Sequence, residues 1–509
     1  MRFKNIIYAF VCVFVLVQCT DDFENINKNK KEAEEVHPKY VLSTIQSMIP
    51  DHIFKDDVNS NVVNLISQHL VKTNYENASY YDFRDDMHGG FTGYFYEIIN
   101  QIRVIEDFAV ELKNEPTLVD NANAWMMIAK TLRAISYQNM VDTQGPSVYS
   151  EALDLGNPTP KYNSESTIYI GLLEELSTAI DAVTNTDVEL NLDGGAQDII
   201  YNGNVLKWQK FANSILLRLS MRIADVDPEN SKKYAEKAVN NNNGVISENA
   251  ENALFPYKDK SPNGNRWFES TFKNNYHYAA SSTVMNLHQR HAAAVDPRMK
   301  LMWRGGLDAD EKFTKYEGQM PGIKSDKFQY AHTNPDMFGI GGEGKADYPY
   351  IFMDYSQVEY FLTEAKLRGY AIDGEVKMHF VSAVTANVNF LLQEIYPDDE
   401  AKATEVGEEL AAYLALPEMD IDVVTDKLAL IGVEKYLSLA YHGAEAWAEL
   451  RRLDAPELTV PENAQSAHPL RLEFSKREVT VNEANVNEAI KMLSSGNNDV
   501  VTSLWWDIN

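Results

Sequence analysis

The sequence predicts a mostly α-helical protein, built from stacked helix pairs that frame one long irregular segment. Apolar residues recur at helical spacing through much of the 509-residue chain, while strand-like alternation is scarce. Residues that stop one helix and start the next fall between neighbouring periodic stretches, as at Asp227-Pro228. From Val245 to Pro349 the periodicity gives way to Gly, Pro, Asn and aromatic residues. Loops of such length inside a folded protein are usually functional.

The clearest helix pair runs from Gly203 to Gly244. Val205, Trp208, Phe211, Ala212, Ile215, Leu216, Leu219 and Ile223 form one broad apolar face, with Lys207, Lys210, Ser214, Arg218 and Arg222 expected opposite. Asp227 offers an N-cap, and Pro228 takes the first helical position, where its missing N–H costs nothing. A shorter helix carries Tyr234, Ala235, Ala238 and Val239 and is expected to end at Gly244. Such a pair cannot bury its apolar face alone, so it needs neighbours of the same kind.

In chain order, helices are expected at about 40–49, 58–73, 90–112, 121–141 and 165–183. The fourth of these is apolar at Trp125, Ile128, Ala129, Leu132 and Ile135 and stops before Gly145-Pro146. The irregular region, about 245–350, holds one good helix at about 282–294. Helical order resumes at about 351–370, 376–395 and 425–453, the last following an acidic stretch. Scaffold thus occupies about 37–244 and 351–509.

A formal net charge of -29 with scattered basic residues excludes a nucleic-acid partner, because that affinity rests on Lys and Arg neutralising phosphate. The two cysteines, Cys12 and Cys19, both lie in the first twenty residues. Arg2 and Lys4 precede an apolar run from Ile6 to Val17, too short to cross a bilayer, and residues 1–18 read as a signal peptide. Leu16-Val17-Gln18-Cys19 resembles a bacterial lipobox, which would make Cys19 the lipidated first residue and 19–36 a tether. Asp21-Asp22-Phe23-Glu24 is similar to the export signal of surface lipoproteins in Bacteroidota.

Several stretches together resemble the SusD/RagB family of nutrient-binding outer-membrane lipoproteins, in its divergent SusD-like branch. They are Asp142-Thr143-Gln144-Gly145 running into Tyr149-Ser150-Glu151-Ala152, and Asp198-x-x-Tyr201-x-Gly203-Asn204 leading into Trp208-x-Lys210-Phe211-Ala212-Asn213. Asp296-Pro297-Arg298, Glu445-Ala446-Trp447, Arg451-Arg452, Pro469-x-Arg471 and Asn482-x-x-Asn485 complete the set. Val148 and Lys30 stand where the family usually has proline. The resemblance implies a tetratricopeptide-like scaffold over 37–509 as one SusD-like domain. It also implies a lid role on a SusC-type TonB-dependent transporter, with an oligosaccharide or peptide nutrient as cargo, and membrane contact through the lipid alone.

Capture of such a nutrient needs flat apolar faces flanked by hydrogen-bonding groups. Two stretches without helical periodicity interleave aromatic residues with polar ones. The first supplies Tyr75, Tyr80 and Tyr81 within 74–83, and the second supplies Trp267, Phe268, Tyr276 and Tyr278. These seven are the candidate ligand-binding residues.

Other motifs carry less. Gly339-Ile340-Gly341-Gly342-Glu343-Gly344-Lys345 matches a phosphate-binding loop in letters, but no strand precedes it and Ala346 replaces the Mg²⁺-binding Ser or Thr. Glu189-x-Asn191-x-Asp193-Gly194 echoes a calcium loop, with Ile200 where the bidentate Glu belongs. His288 and His291 share a helix without a third ligand nearby. No cofactor, metal or catalytic residue is assigned. The competing reading is a surface hydrolase that cuts a glycan or peptide with a carboxylate pair.

Overall fold

The computed structural model describes residues 37–508, except 56–58, 75, 191–196, 242, 272–276, 327 and 340–343. Helix makes up 54% of the structure and strand 6%, so the mostly α expectation holds.

Six helices form the first half of the scaffold: α1 Pro38–Ile53, α2 Asp85–Leu112, α3 Val119–Gln144, α4 Glu165–Ala182, α5 Val205–Arg222 and α6 Pro228–Asn240. Consecutive members pack against each other, most extensively α2 with α3 and α5 with α6. The expected start signals act as capping groups. Asn204 caps α5 through Lys207 N at 2.9 Å, Ser164 caps α4, and Asp227 caps α6 through Asn230 N at 3.1 Å with Pro228 at the first position. Helix α6 ends at Asn240 rather than Gly244, which sits beyond it with φ 62°.

The second half contains α7 Tyr355–Leu367, α8 Val376–Ile395, α9 Glu400–Leu414, α10 Lys427–Ser438, α11 Gly443–Leu453 and α12 Glu483–Met492. The stretch expected as one segment, 425–453, is therefore two helices, and part of the acidic stretch before it is helical. Residues 350–353 form a strand where helix was expected, and the helix expected at 282–294 stops at His288. The expected helix at 58–73 is helical only over Asn59–Val63 and Asn64–Ile66. Gln68 adopts φ 54°, which breaks helical geometry, and residues Leu70–Lys72 become strand β1.

The irregular region is tied down by four antiparallel two-stranded pairs. These are β1 with β3 Tyr278–Ala280, β2 Ala253–Phe255 with β8 Tyr350–Met353, β4 Trp303–Arg304 with β7 His332–Thr333, and β5 Gly306–Leu307 with β6 Phe313–Lys315. One apolar core runs through α1–α7, and a second joins α8–α10 to Trp267, Met285, Leu301, Trp303 and Phe338 of the irregular region.

The polar side expected for α5 is not solvated along its length. Ser214, Arg218 and Arg222 are buried, because the C-terminal turns of α5 lie between other helices, and ion pairs take the place of water.

Candidate functional site

Pairing of β1 with β3, in the register Leu70↔Ala280 and Lys72↔Tyr278, joins the bases of the two aromatic stretches that lie two hundred residues apart in sequence. The left-handed Gln68 just before β1 acts as a clamp. Its Nε2 donates to Tyr81 Oη at 3.1 Å and to Thr459 O at 2.7 Å, and its Oε1 accepts from Thr283 Oγ1 at 2.7 Å. Gln319 Nε2 donates to Lys72 O at 2.9 Å, and Gln465 N donates to Tyr80 O at 2.8 Å. Three remote segments, 68–81, 319–323 and 459–465, are thereby locked edge to edge.

Tyr80 ends the short 3₁₀ turn Glu76–Tyr80 and is half-buried beside Gly322 and Pro461. Around it Met320, Ile323 and Val460 are 55%, 47% and 43% exposed. Met320 and Ile323 flank Gly322, and Val460 precedes Pro461, so exposed apolar residues of two separate segments adjoin the neighbours of Tyr80. This patch is the candidate site. No sequence signal pointed to Met320, Ile323 or Val460, since nothing in the local pattern separates them from ordinary loop residues.

The seven aromatic candidates divide. Tyr75 and Tyr276 lie outside the described residues. Tyr80 and Tyr278 are half-buried, and Tyr278 Oη donates to Asn61 Oδ1 at 2.7 Å, with Lys72 Nζ 5.3 Å from its ring centre. Three of the seven do not present a ligand face. Tyr81 is buried with φ 62°, and burial pushes its hydroxyl up to about 12. Trp267 is 1% exposed, with ring centres of Tyr278 at 5.3 Å and Tyr441 at 5.7 Å, and Phe268 is buried beside it. Trp267 belongs to the second core, and all three rings are buried, which leaves little area for a ligand to cover.

The family described as SusD-like, starch-binding and associating with the outer membrane matches residues 29–475. The chain belongs to the SusD-like family. Among solved structures, a chitin-binding protein is 24% identical, covers 93% of this chain with all of its own length, and superposes with a TM-score of 0.76. A SusD homolog from Bacteroides fragilis is 23% identical over 93% of this chain and 99% of its own, also at 0.76. A SusD homolog from Parabacteroides distasonis is 21% identical over 93% and 98%, with the same score. At these identities the likeness shows the fold. No curated protein matches the chain. Among the described residues no helix is long and apolar enough to cross a membrane.

In this SusD-like chain the motif residues that carried the resemblance hold the scaffold together. Asp198 accepts from Gln46 Nε2 of α1 at 2.7 Å, from Gly203 N at 2.8 Å and from Trp208 Nε1 at 2.7 Å, so it ties α1 to the start of α5. Arg222 pairs with Asp142 at 3.2 Å, with Glu445 at 2.8 Å and with Glu449. Glu449 also meets Lys435 and Arg452, each at 2.7 Å; burial works against its charge, yet Arg452, Lys435 and Arg222 hold it well below the usual carboxylate range. Trp447 Nε1 donates to Pro469 O at 2.9 Å, Arg471 Nε to Gln144 O at 3.0 Å, and Asn482 Nδ2 to Pro160 O at 2.8 Å.

His288 has a structural assignment as well. The Trp303 indole N–H can only donate, and it lies 3.1 Å from His288 Nε2, so the ring proton sits on Nδ1 and goes to Asp296 Oδ2 at 3.0 Å. Burial lowers the pKa of His288, in keeping with a neutral ring. No group of three potential metal ligands occurs among the described residues. In the glycine-rich loop, residues 340–343 lie outside the described set, and Lys345 Nζ donates to Ile395 O at 3.0 Å. Asn191 to Gly194 of the calcium-like turn also lie outside it.

Proposed function

We propose that this protein captures a carbohydrate on the face around Tyr80 and hands it to a SusC-type TonB-dependent transporter, held at the outer membrane by a lipid on Cys19. The observation that carries the reading is the apolar patch around Tyr80 in a chain of a family described as starch-binding. A pyranose presents a flat C–H face rimmed by hydroxyls, which suits a ring set among apolar side chains with polar groups at the margin. Tyr80, with Met320, Ile323 and Val460, supplies the flat part; exposed Asn77, Asp82 and Gln465 supply the margin. Tyr75, Tyr276 and Tyr278 are proposed as flanking contacts, while the buried Trp267, Phe268 and Tyr81 stay outside the ligand face. The chitin-binding neighbour favours a glycan over a peptide.

Native gels containing starch or soluble chitin fragments test this. Retardation of the wild type that Tyr80→Ala and Ile323→Ser abolish is expected, without release of reducing ends. Equal migration of wild type and variants removes the patch from the site, and reducing ends released would favour the hydrolase. Mass spectrometry of membrane fractions is expected to find Cys19 acylated, and solubilised membranes to yield a co-purifying TonB-dependent barrel.

A further inference from the structure

Where the two halves of the scaffold meet, a chamber of about 30 Å³ lies between α3, α5, β8 and the turn from α10 into α11. Asn139, Arg218, Phe352, His442, Ala444 and Glu445 are among the residues of its wall. Asn139, His442 and Glu445 are half-buried, so solvent reaches it. Arg218 is the cation on the wall, and it is 5% exposed. Its Nε donates to Gln138 Oε1 at 3.0 Å and its Nη1 to Phe352 O at 3.2 Å, both neutral acceptors. Among the described residues no carboxylate pairs with it, and its Nη2 has no acceptor. A buried charge without a countercharge is strongly unfavourable.

The backbone adds donors to the same wall. Helix α11 starts at Gly443, and His442 before it gives no side-chain cap. The N–H groups of Gly443, Ala444 and Glu445 have no acceptor among the described residues, so the positive end of this helix is open. Ala444 and Glu445 line the chamber. The Glu445 carboxylate has donors of its own, since Arg222 holds one oxygen at 2.8 Å and Gln138 Nε2 lies 3.4 Å from the other. Burial lowers the pKa of His442 to about 4, so its ring is neutral at pH 7 and leaves Arg218 uncontested as the source of charge.

We propose that the chamber binds a small monovalent anion, the size of chloride, between Arg218 Nη2 and the first turn of α11. A buried guanidinium and an uncapped helix N-terminus on one wall are complementary to negative charge. The volume selects the class of ion. It admits roughly one or two bodies the size of water, which suits a halide and shuts out sulfate, phosphate and carboxylate ligands. Bound there, the ion joins α5 of the first half to α11 of the second, so it favours the folded form alone. Its binding is independent of which nutrient is captured at the Tyr80 face.

Thermal unfolding of the soluble form beginning at Thr20 tests this, with gluconate replaced stepwise by chloride at constant ionic strength. The wild-type midpoint should rise by about 1–2 °C relative to Arg218→Met and then level off. General salt effects move both proteins alike and cancel in the comparison. Crystals of the wild type soaked in bromide should show an anomalous peak within hydrogen-bond distance of Arg218 Nη2, a reading that needs no variant to fold. Parallel curves for wild type and Arg218→Met overturn the proposal, as does a bromide-soaked chamber that holds water alone.

Discussion

Gly322 and the ring of Tyr80 are in such close contact that a methyl group at position 322 would come within 2.8 Å of Tyr80 Cε1. Gly322 also has φ 79°, a backbone conformation that disfavours side chains. The orientation of the candidate ligand ring is therefore set by a glycine two hundred and forty residues away in sequence.

Gly322→Ala should push the Tyr80 ring out of register and weaken glycan retention about tenfold, equivalent to roughly 1.4 kcal/mol. Isothermal titration with the glycan found in the gel assay checks this. Ile323→Ser should weaken binding without lowering the melting temperature, because Ile323 is 47% exposed and adds little to the core.

Trp267→Ala should behave in the opposite manner. Its ring fills the second core, so truncation should destabilise the fold by about 3–5 kcal/mol. Binding by the fraction still folded should remain within about twofold of wild type. Urea unfolding followed by circular dichroism, with titration at low temperature, separates the two effects. A loss of affinity with unchanged stability would return Trp267 to the ligand face.

Arg222→Met should cost about 3–5 kcal/mol, since it leaves the buried Asp142 and Glu449 and the half-buried Glu445 with part of their countercharge removed. Lys435 and Arg452 still face Glu449, so Asp142 should bear most of the loss. A melting temperature within a degree of wild type would show that the cluster relaxes around the gap.

Glu165 gives a pH test. Burial raises its pKa from 4.5 to about 8, and its Oε2 accepts Trp505 N at 2.7 Å. Between those values the folded state keeps a proton that the unfolded state has lost. Its contribution to stability is therefore full below about pH 4.5 and falls as pH rises towards 8. Glu165→Gln mimics the protonated form and should flatten that part of the profile. Denaturation midpoints of the two proteins should diverge as pH goes from 5 to 9, with the variant the more stable at the alkaline end.

Helix pairs were legible in the sequence because a 3.6-residue apolar period and a capping Asp, Asn or Ser act within a few residues of one another. Asn204, Asp227 and Pro228 show this directly, and so does the family signature from Asp198 to Trp208. Where local period and tertiary packing compete, packing prevails. Arg218 and Arg222 look like a solvated face by spacing, yet neighbouring helices enclose them and carboxylates from distant segments replace water.

The aromatic loops followed the same division. Composition alone singled out 74–83 and 265–278 as unlike scaffold, and strand pairing joins them at Lys72 and Tyr278. Which rings face outward was decided by contacts that no single stretch contains. Trp267 turns inward because Tyr278, Phe338 and Tyr441 surround it, whereas Tyr80 stays at the surface because Gly322 and Pro461 flank it. Local order depends on neighbours along the chain, and a binding face depends on neighbours across it; only the folded arrangement supplies the second kind.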